Sequence, residues 1–191
     1  MIISRGSKKA EPSWEEFGYR DVIPAGQLYT GTYHKSLRRA ADALTDQSLI
    51  RIMSARHGLV TLERPLHPYD TQLGDMDAIT PEQMARHTAA LDLDDAHVIF
   101  LGGRDYAELL RQTLPHTLVP LTSGLGDQRA QCHTLSQSTE LVRVWWQAAA
   151  RLADHPRGTL AKDEPAQARV SLPPSTGPCP PATGAGGRSR G

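Results

Sequence analysis

The side chains best suited to chemistry lie in polar loops that follow apolar stretches. Ser54 and His57 come directly after the apolar run 49–53, and Asp70 follows Tyr69 in a proline-marked loop. A carboxylate can serve as a general base, and a serine hydroxyl and an imidazole can position a ligand. We therefore predict catalytic roles for Asp70, His57 and Ser54. Asp70 would orient or deprotonate water, and Tyr69 would stack on the ligand or donate a hydrogen bond to it.

Other loops carry cations and glycines that suit an anion. Lys8 and Lys9 follow the apolar run 1–4, where a cation could meet a phosphate. Gly102, Gly103 and Arg104 stand at the start of a predicted helix. Free backbone N–H groups at a helix start favour negative charge. We predict that Lys8 and Arg104 face phosphate and that the two glycines contact the same ligand. A solvated surface lysine and a tight strand–helix turn explain these residues about as well.

Several classes of site are disfavoured. The Gly-x-Ser-x-Gly spacing of acyl-transfer hydrolases is absent around Ser54, so the 54–58 loop is also interpretable as a plain turn with Gly58 at positive φ. The Asp70 loop is equally consistent with an Asx turn. The histidines are scattered and form no pair on one helix face, and the two cysteines cannot build a disulfide framework. We predict no metal and no cofactor.

Strand and helix patterns alternate along the chain. Apolar runs predict strands at 1–4, 49–53, 97–101 and 117–121, the last at an edge because it contains Pro120. Helices are predicted over 35–44, 80–91, 104–113 and 135–153, with residues 11–27 irregular and a glycine loop at 123–126. This order predicts a three-layer α/β fold, with a mainly parallel sheet of four to five strands flanked by helices. Ligands bind such sheets at the carboxyl ends of the strands.

Composition divides the 191 residues into two regions. Overall, 39% of the residues are apolar, and 21 basic residues balance 21 acidic ones. From position 154 onward, seven of the 14 prolines and six of the 16 glycines accompany five basic and three acidic residues, a charge of +2. We predict one domain over 1–153 and a disordered tail over 154–191. Residues 1–64, with ten basic and seven acidic groups, form a weakly basic first half that contains several of the candidate loops.

These segments, taken in order, resemble a bacterial and phage family, the domain of unknown function number 6884. The matching segments are 3–9 (ISRGSKK), 28–30 (LYT), 53–59 (MSARHGL), 68–73 (PYDTQL), 102–106 (GGRDY) and 120–128 (PLTSGLGDQ). The likeness covers roughly residues 1–137. It adds Tyr29 to the ligand-binding candidates. The first loop lacks the cysteine often seen there, and residues 11–23 resemble an insertion.

The resemblance implies an α/β fold and little about a reaction. The family is in turn distantly similar to the YaaA peroxide-stress proteins, which implies a DNA-associated stress role. We predict a cytoplasmic protein that binds a nucleotide, nucleobase or nucleic-acid element at the strand ends, with possible hydrolysis of a glycosidic or phosphate bond. The alternative is a non-catalytic DNA- or protein-interaction module. No membrane span is expected because no apolar run reaches about 18 residues.

Overall fold

In the computed structural model, residues 1–11, 13–15 and 18–153 are described. The predicted tail at 154–191 lies outside these residues, and its disorder stays a prediction. The strands are β1 (Ile2–Ser4), β2 (Ser13–Glu15), β3 (Gly18–Arg20), β4 (Ile23–Pro24), β5 (Arg51–Ser54), β6 (Gly58–Thr61), β7 (Pro65–Leu66) and β8 (Phe100–Leu101). The helices are α1 (Ala25–Leu28), α2 (Thr32–Leu44), α3 (Pro81–Ala90), α4 (Arg104–Arg111), α5 (Leu125–Gln137) and α6 (Thr139–Ala153), with a 3-10 turn at Gln47–Leu49.

Four strands form the main sheet in the order β6-β5-β1-β8. Strand β1 runs parallel to both β5 and β8, whereas β6 is antiparallel to β5. All three residues of β1, which lies between β5 and β8, are buried. The predicted α/β class with a mostly parallel sheet is confirmed.

Alternate residues of the central strands enter two hydrophobic clusters. Ile3 packs in a cluster that contains residues of α1, α2, α5 and α6, and the neighbouring Ile2 packs in a second cluster with residues of α3 and α4. This alternation follows from the pleat, which points successive side chains to opposite faces. The buried stripe of α2, at Leu37, Ala40 and Ala41, has helical spacing and contributes to the first cluster.

Local sequence signals set some boundaries correctly. Thr80 caps α3, because its side chain accepts from the Gln83 N–H while the Gln83 side chain accepts from the Thr80 N–H. Pro81 occupies the first helical position, where its missing N–H costs nothing. The predicted start of this helix is therefore confirmed.

The prediction was wrong at several elements. The turn at 54–58 is present with Gly58 at positive φ, but it leads into the antiparallel strand β6, which was not predicted. The expected strand at 117–121 is reduced to one parallel bridge between Ile99 and Leu118. The glycine loop at 123–126 begins α5, so the single helix expected over 135–153 is two helices. Helix α5 escaped prediction because Gln128 and Cys132 occupy buried positions on its face together with Leu135, which obscures the apolar period.

Candidate functional site

The carboxyl ends of β1, β5 and β8 lie side by side at one edge of the sheet. The main chain continues this pairing beyond the strands, because the Arg5 N–H donates to the Met53 carbonyl at 3.0 Å. At the end of β8, a Cβ on Gly102 would lie 2.6 Å from the Ser4 Cβ and 2.5 Å from the Phe100 ring. Only glycine fits this approach, which brings the end of β8 close to the end of β1.

Three buried hydroxyl groups meet beside these strand ends. The Tyr69 hydroxyl lies 2.6 Å from the Tyr29 hydroxyl and 2.6 Å from the Ser54 Oγ. The relative exposure of the three residues is 8%, 3% and 0%. We call Tyr29, Ser54 and Tyr69 the hydroxyl cluster. It joins residues that lie far apart in the sequence into one hydrogen-bonded row.

The direction of the hydrogen bonds follows from the number of partners. Ser54 Oγ accepts from the backbone N–H of Arg56 at 3.2 Å and of His57 at 2.9 Å, which occupies both of its lone pairs. Ser54 therefore donates its proton to Tyr69. Either phenol can donate in the Tyr69–Tyr29 hydrogen bond, so one phenolic proton of this pair is left to donate elsewhere. Burial raises the pKa of Tyr29 well above its usual range, so this phenol keeps its proton at neutral pH.

Two cations from the loop after β1 surround the rim of the hydroxyl cluster. Lys9 Nζ lies 4.9 Å from the centre of the Tyr69 ring and 3.5 Å from Asp70 Oδ1. Arg5 Nε donates to the Tyr106 hydroxyl at 2.7 Å. We call these residues the Arg5–Lys9 pair.

The described carboxylates neutralise the Arg5–Lys9 pair only in part. The Lys9 side chain is only 8% exposed, whereas the Asp70 side chain is fully exposed. Burial and the nearby Arg5 charge both lower the pKa of Lys9, and Asp70 opposes them in part. Among the residues that the structure describes, no carboxylate forms an ion pair with Arg5. The arrangement favours an anion from outside the protein.

Two histidines flank the hydroxyl cluster. The half-buried His57 ring meets the Tyr69 ring edge-on, with centroids 5.0 Å apart. Burial, followed by the Arg56 and Arg64 charges, lowers the pKa of His57. Its contact with Ser54 is made by the backbone N–H, not by the imidazole. The described contacts thus give Ser54 no imidazole base.

His34 lies behind Tyr29, with ring centroids 5.1 Å apart. It is 2% exposed, and its Nδ1 lies 2.9 Å from the Ser4 carbonyl oxygen. Because a carbonyl can only accept, Nδ1 carries the proton and Nε2 is an acceptor. Nε2 has no hydrogen-bond partner among the described residues. Burial lowers the pKa of His34, which keeps the ring neutral.

The structure brings together some of the predicted residues and separates others. Tyr29, Ser54 and Tyr69 form the hydroxyl cluster, His57 contacts it, and Asp70 reaches its rim through Lys9. The remaining candidates occupy nearby backbone or surface positions.

Lys8 and Arg104 are exposed, and no described contact joins either side chain to the hydroxyl cluster. Lys8 contributes a backbone carbonyl, which accepts from the Thr30 N–H at 3.0 Å. Gly102 packs on Ser4, and Gly103 is the N-cap of α4. The lysine at the rim is Lys9, one position beyond the predicted one.

Sequence reasoning also missed Arg5, Tyr106 and His34. Arg5 directly follows β1, and this position at a strand end was the available signal. No sequence pattern singled out His34, and its burial depends on how α2 packs on β1. Within the described ranges, no group of three or more His, Cys, Asp or Glu side chains is arranged to hold a metal ion. In the same part of the chain, no helix is long and apolar enough to cross a membrane.

Comparison with known proteins identifies the family. Residues 19–136 match the family described as "Family of unknown function (DUF6884)". The chain belongs to this family. No curated protein and no solved structure matched the chain.

The DUF6884 segment contains the whole hydroxyl cluster together with His34, His57 and Tyr106. The Arg5–Lys9 pair precedes it, although β1 is a central strand of the sheet. The site of this chain is therefore assembled from the DUF6884 segment and from residues on its N-terminal side.

Proposed function

We propose that this DUF6884 domain binds a nucleotide at the strand ends, with its phosphate against the Arg5–Lys9 pair. The observation that carries the proposal is the near-complete burial of the Lys9 side chain beside Arg5. Among the described residues, Lys9 has one exposed carboxylate as its ion-pair partner, and its Nζ donates to the Ser7 carbonyl at 3.4 Å. Two cations held this close repel one another, and a bound phosphate removes that repulsion. Arginine and lysine are the usual protein ligands of phosphate.

The remaining polar groups suit a sugar or a base. One phenolic proton of the Tyr29–Tyr69 pair is available to donate, and the neutral imidazole of His57 can accept or donate. Tyr106, held by Arg5, places a second phenol at the same rim. These groups support a ligand that carries both a phosphate and an uncharged hydrogen-bonding part.

The proposal extends to hydrolysis of a glycosidic or phosphate bond, with Asp70 as the base that activates water. The exposure of its carboxylate to solvent supports access to water, and its ion pair with Lys9 keeps it at the rim. We also propose a cytoplasmic location, a distant relationship to the YaaA proteins, and a three-layer arrangement of helices on both sheet faces. A non-catalytic DNA- or protein-binding module is the alternative.

Calorimetric titration with the four nucleoside 5′-monophosphates and the matching nucleosides tests the binding site. We expect at least one monophosphate to bind about tenfold more tightly than its nucleoside. Lys9→Met is expected to lower the monophosphate affinity about tenfold and to leave nucleoside binding unchanged. Lys8→Met, which removes the same charge one residue away, is the matched control and is expected to change affinity less than about twofold.

Three results would count against the proposal. Failure of all four monophosphates to bind would contradict the nucleotide site and would favour the interaction module. Equal affinity for a nucleotide and its nucleoside would show that the phosphate does not bind the Arg5–Lys9 pair. A larger loss of affinity for Lys8→Met than for Lys9→Met would show that Lys8, and not Lys9, binds the phosphate. Incubation of each bound nucleotide with wild type and Asp70→Asn, followed by product analysis, tests hydrolysis separately.

A further inference from the structure

A second cationic cleft lies next to the candidate site. It has a volume of about 490 Å³ and is lined by Arg56, His57, Ile79, Gln83, Arg86 and His87. Helix α3 forms one wall, and the turn between β5 and β6 forms the other. A Cβ on Gly58 would approach the His87 ring to 2.9 Å, so helix and turn are in close contact at the base of this α3 cleft.

The lining of the α3 cleft carries two guanidinium groups and two imidazoles and contains no carboxylate. The nearest acidic partner is Asp77, whose carboxylate lies 3.2 Å from Arg56 Nη1 and also accepts from Thr71 Oγ1 at 2.5 Å. Both members of the Arg56–Asp77 ion pair are about half exposed. Glu82 stands one turn before Arg86 on the exposed side of α3, within electrostatic reach of that guanidinium. With these carboxylates outside the lining, the cleft is suited to an anion.

The α3 cleft and the Arg5–Lys9 pair are separate but connected. The cleft lining includes neither Lys9 nor Tyr69. His57 belongs to the cleft and contacts the Tyr69 ring, and Lys9 Nζ lies over that same ring. An aromatic contact therefore lies between two groups of cations. A ligand that occupies both would have its uncharged part beside the aromatic rings and negative charge at each end.

Building on the proposed nucleotide site, we propose that the ligand carries phosphates on both sides of one nucleoside. One phosphate would bind the Arg5–Lys9 pair, and the other would bind Arg56 and Arg86 in the α3 cleft. A nucleoside 3′,5′-bisphosphate carries a phosphate at each end of one nucleoside, and so does the same unit within a single-stranded oligonucleotide. Stacking on aromatic side chains and cationic contacts to phosphate are the usual components of such binding.

Three ligands with the same base separate charge from geometry. They are a nucleoside 5′-monophosphate, its 5′-diphosphate and its 3′,5′-bisphosphate, titrated calorimetrically into the full chain. The diphosphate and the bisphosphate carry a similar charge, but only the bisphosphate has phosphates at two ends. We expect the bisphosphate to bind at least about tenfold more tightly than the diphosphate.

Arg86→Gln is expected to weaken bisphosphate binding about tenfold and to change monophosphate binding less than about twofold. Arg86→Lys keeps the charge and is expected to retain most of the affinity. Arg111→Gln removes an exposed arginine at the end of α4 and is the matched control. Equal affinity for diphosphate and bisphosphate, or an equal effect of Arg86→Gln on all three ligands, overturns the two-phosphate proposal.

The outcomes distinguish the two proposals and the two sources of the ligand. If the monophosphate binds but Arg86→Gln leaves the bisphosphate affinity unchanged, the second phosphate site is overturned and the first nucleotide site stands. Failure of every ligand to bind overturns both. Tighter binding of a 5′-phosphorylated hexanucleotide than of the bisphosphate supports the oligonucleotide as the source, whereas the reverse order supports the free bisphosphate.

Discussion

Tyr69 is the residue on which the site depends, because its hydroxyl bridges Ser54 and Tyr29 while its ring contacts Lys9 and His57. Buried hydroxyl groups are stabilising only while they remain paired. The row of hydrogen bonds from Ser54 through Tyr69 to Tyr29 therefore holds three separate segments in one geometry. It leaves one phenolic proton of the Tyr29–Tyr69 pair without an acceptor in the cluster.

Tyr69→Phe is expected to lower the free energy of unfolding by about 1–3 kcal/mol, because it leaves the Ser54 proton and the Tyr29 hydroxyl without their shared partner in a buried site. Tyr29→Phe removes a hydroxyl with a single cluster partner and is the matched control, with a smaller expected loss. Urea unfolding of the two variants measures the difference. An equal or larger loss for Tyr29→Phe would contradict the bridging role of Tyr69.

His34 is expected to make stability depend on pH. Its pKa in the folded protein is lowered by burial, whereas in the unfolded chain it returns to about 6.5. Above that pH both states are neutral at His34. Below it the unfolded chain takes up a proton that the folded protein does not, so the free energy of unfolding falls as the pH falls.

Urea unfolding between about pH 7.5 and pH 5 checks this dependence. His34→Asn keeps a donor toward the Ser4 carbonyl and removes the titrating group, so its stability is expected to fall less steeply. His57, whose pKa is also lowered, is present in both proteins and cancels in the comparison. Identical pH profiles would show that His34 contributes nothing to the slope.

At the scale of elements, the β5–β6 turn connects the hydroxyl cluster to the α3 cleft. Ser54 ends β5, His57 lies within the turn, and Gly58 begins β6 with φ +66°. This backbone conformation is one that residues with a Cβ rarely adopt. The sequence indicated a turn with Gly58 at positive φ, but not the antiparallel strand that follows.

Gly58→Ala is expected to destabilise the protein more than Gly74→Ala. Both glycines have positive φ, so alanine costs about 1–2 kcal/mol of backbone strain at either position. A Cβ at Gly74 meets nothing within 4 Å, whereas one at Gly58 overlaps the Ile79 side chain and the His87 ring. That overlap adds about 1–3 kcal/mol. Chemical denaturation of both variants measures the difference in the free energy of unfolding. Equal losses of this free energy would show that α3 shifts to accommodate the added Cβ without energetic cost.

Elements with a strong local pattern were predictable, and those shaped by their neighbours were not. The start of α3 follows from Thr80, Pro81 and Gln83 alone. The region at 11–27, expected to be irregular, contains two short strands that pair with each other, together with β4 and α1. Strand β4 pairs with β7, some forty residues along the chain, which no local pattern records. Such short strands exist only because a partner supplies their hydrogen bonds.

At the scale of the whole molecule, the last described helix completes the core. Trp145 in α6 is 2% exposed within the first hydrophobic cluster, and Trp146 Nε1 donates to the Leu44 carbonyl of α2 at 2.9 Å. The composition after Ala153 predicts a segment that adds nothing to this core.

A chain that ends at Ala153 is expected to keep the free energy of unfolding within about 0.5 kcal/mol of the full chain. A chain that ends at Gln137, without α6, is expected to lose at least about 3 kcal/mol because it lacks the buried Trp145. Thermal and urea unfolding compare the three lengths. A large loss on removal of 154–191 alone would assign the tail a structural role.

The sequence alone determined the α/β class, the strands at β1 and β5, the helices α2 and α3, and the loops from which the site is built. These features depend on local periodicity and capping, which a linear chain displays. The choice of Lys9 over Lys8, the contact between Tyr29 and Tyr69, and the burial of His34 were decided only in the tertiary structure. The reason is physical: the side chains of Tyr29 and Tyr69, forty residues apart, meet only after β4 has paired with β7 and Tyr29 has paired with Lys9.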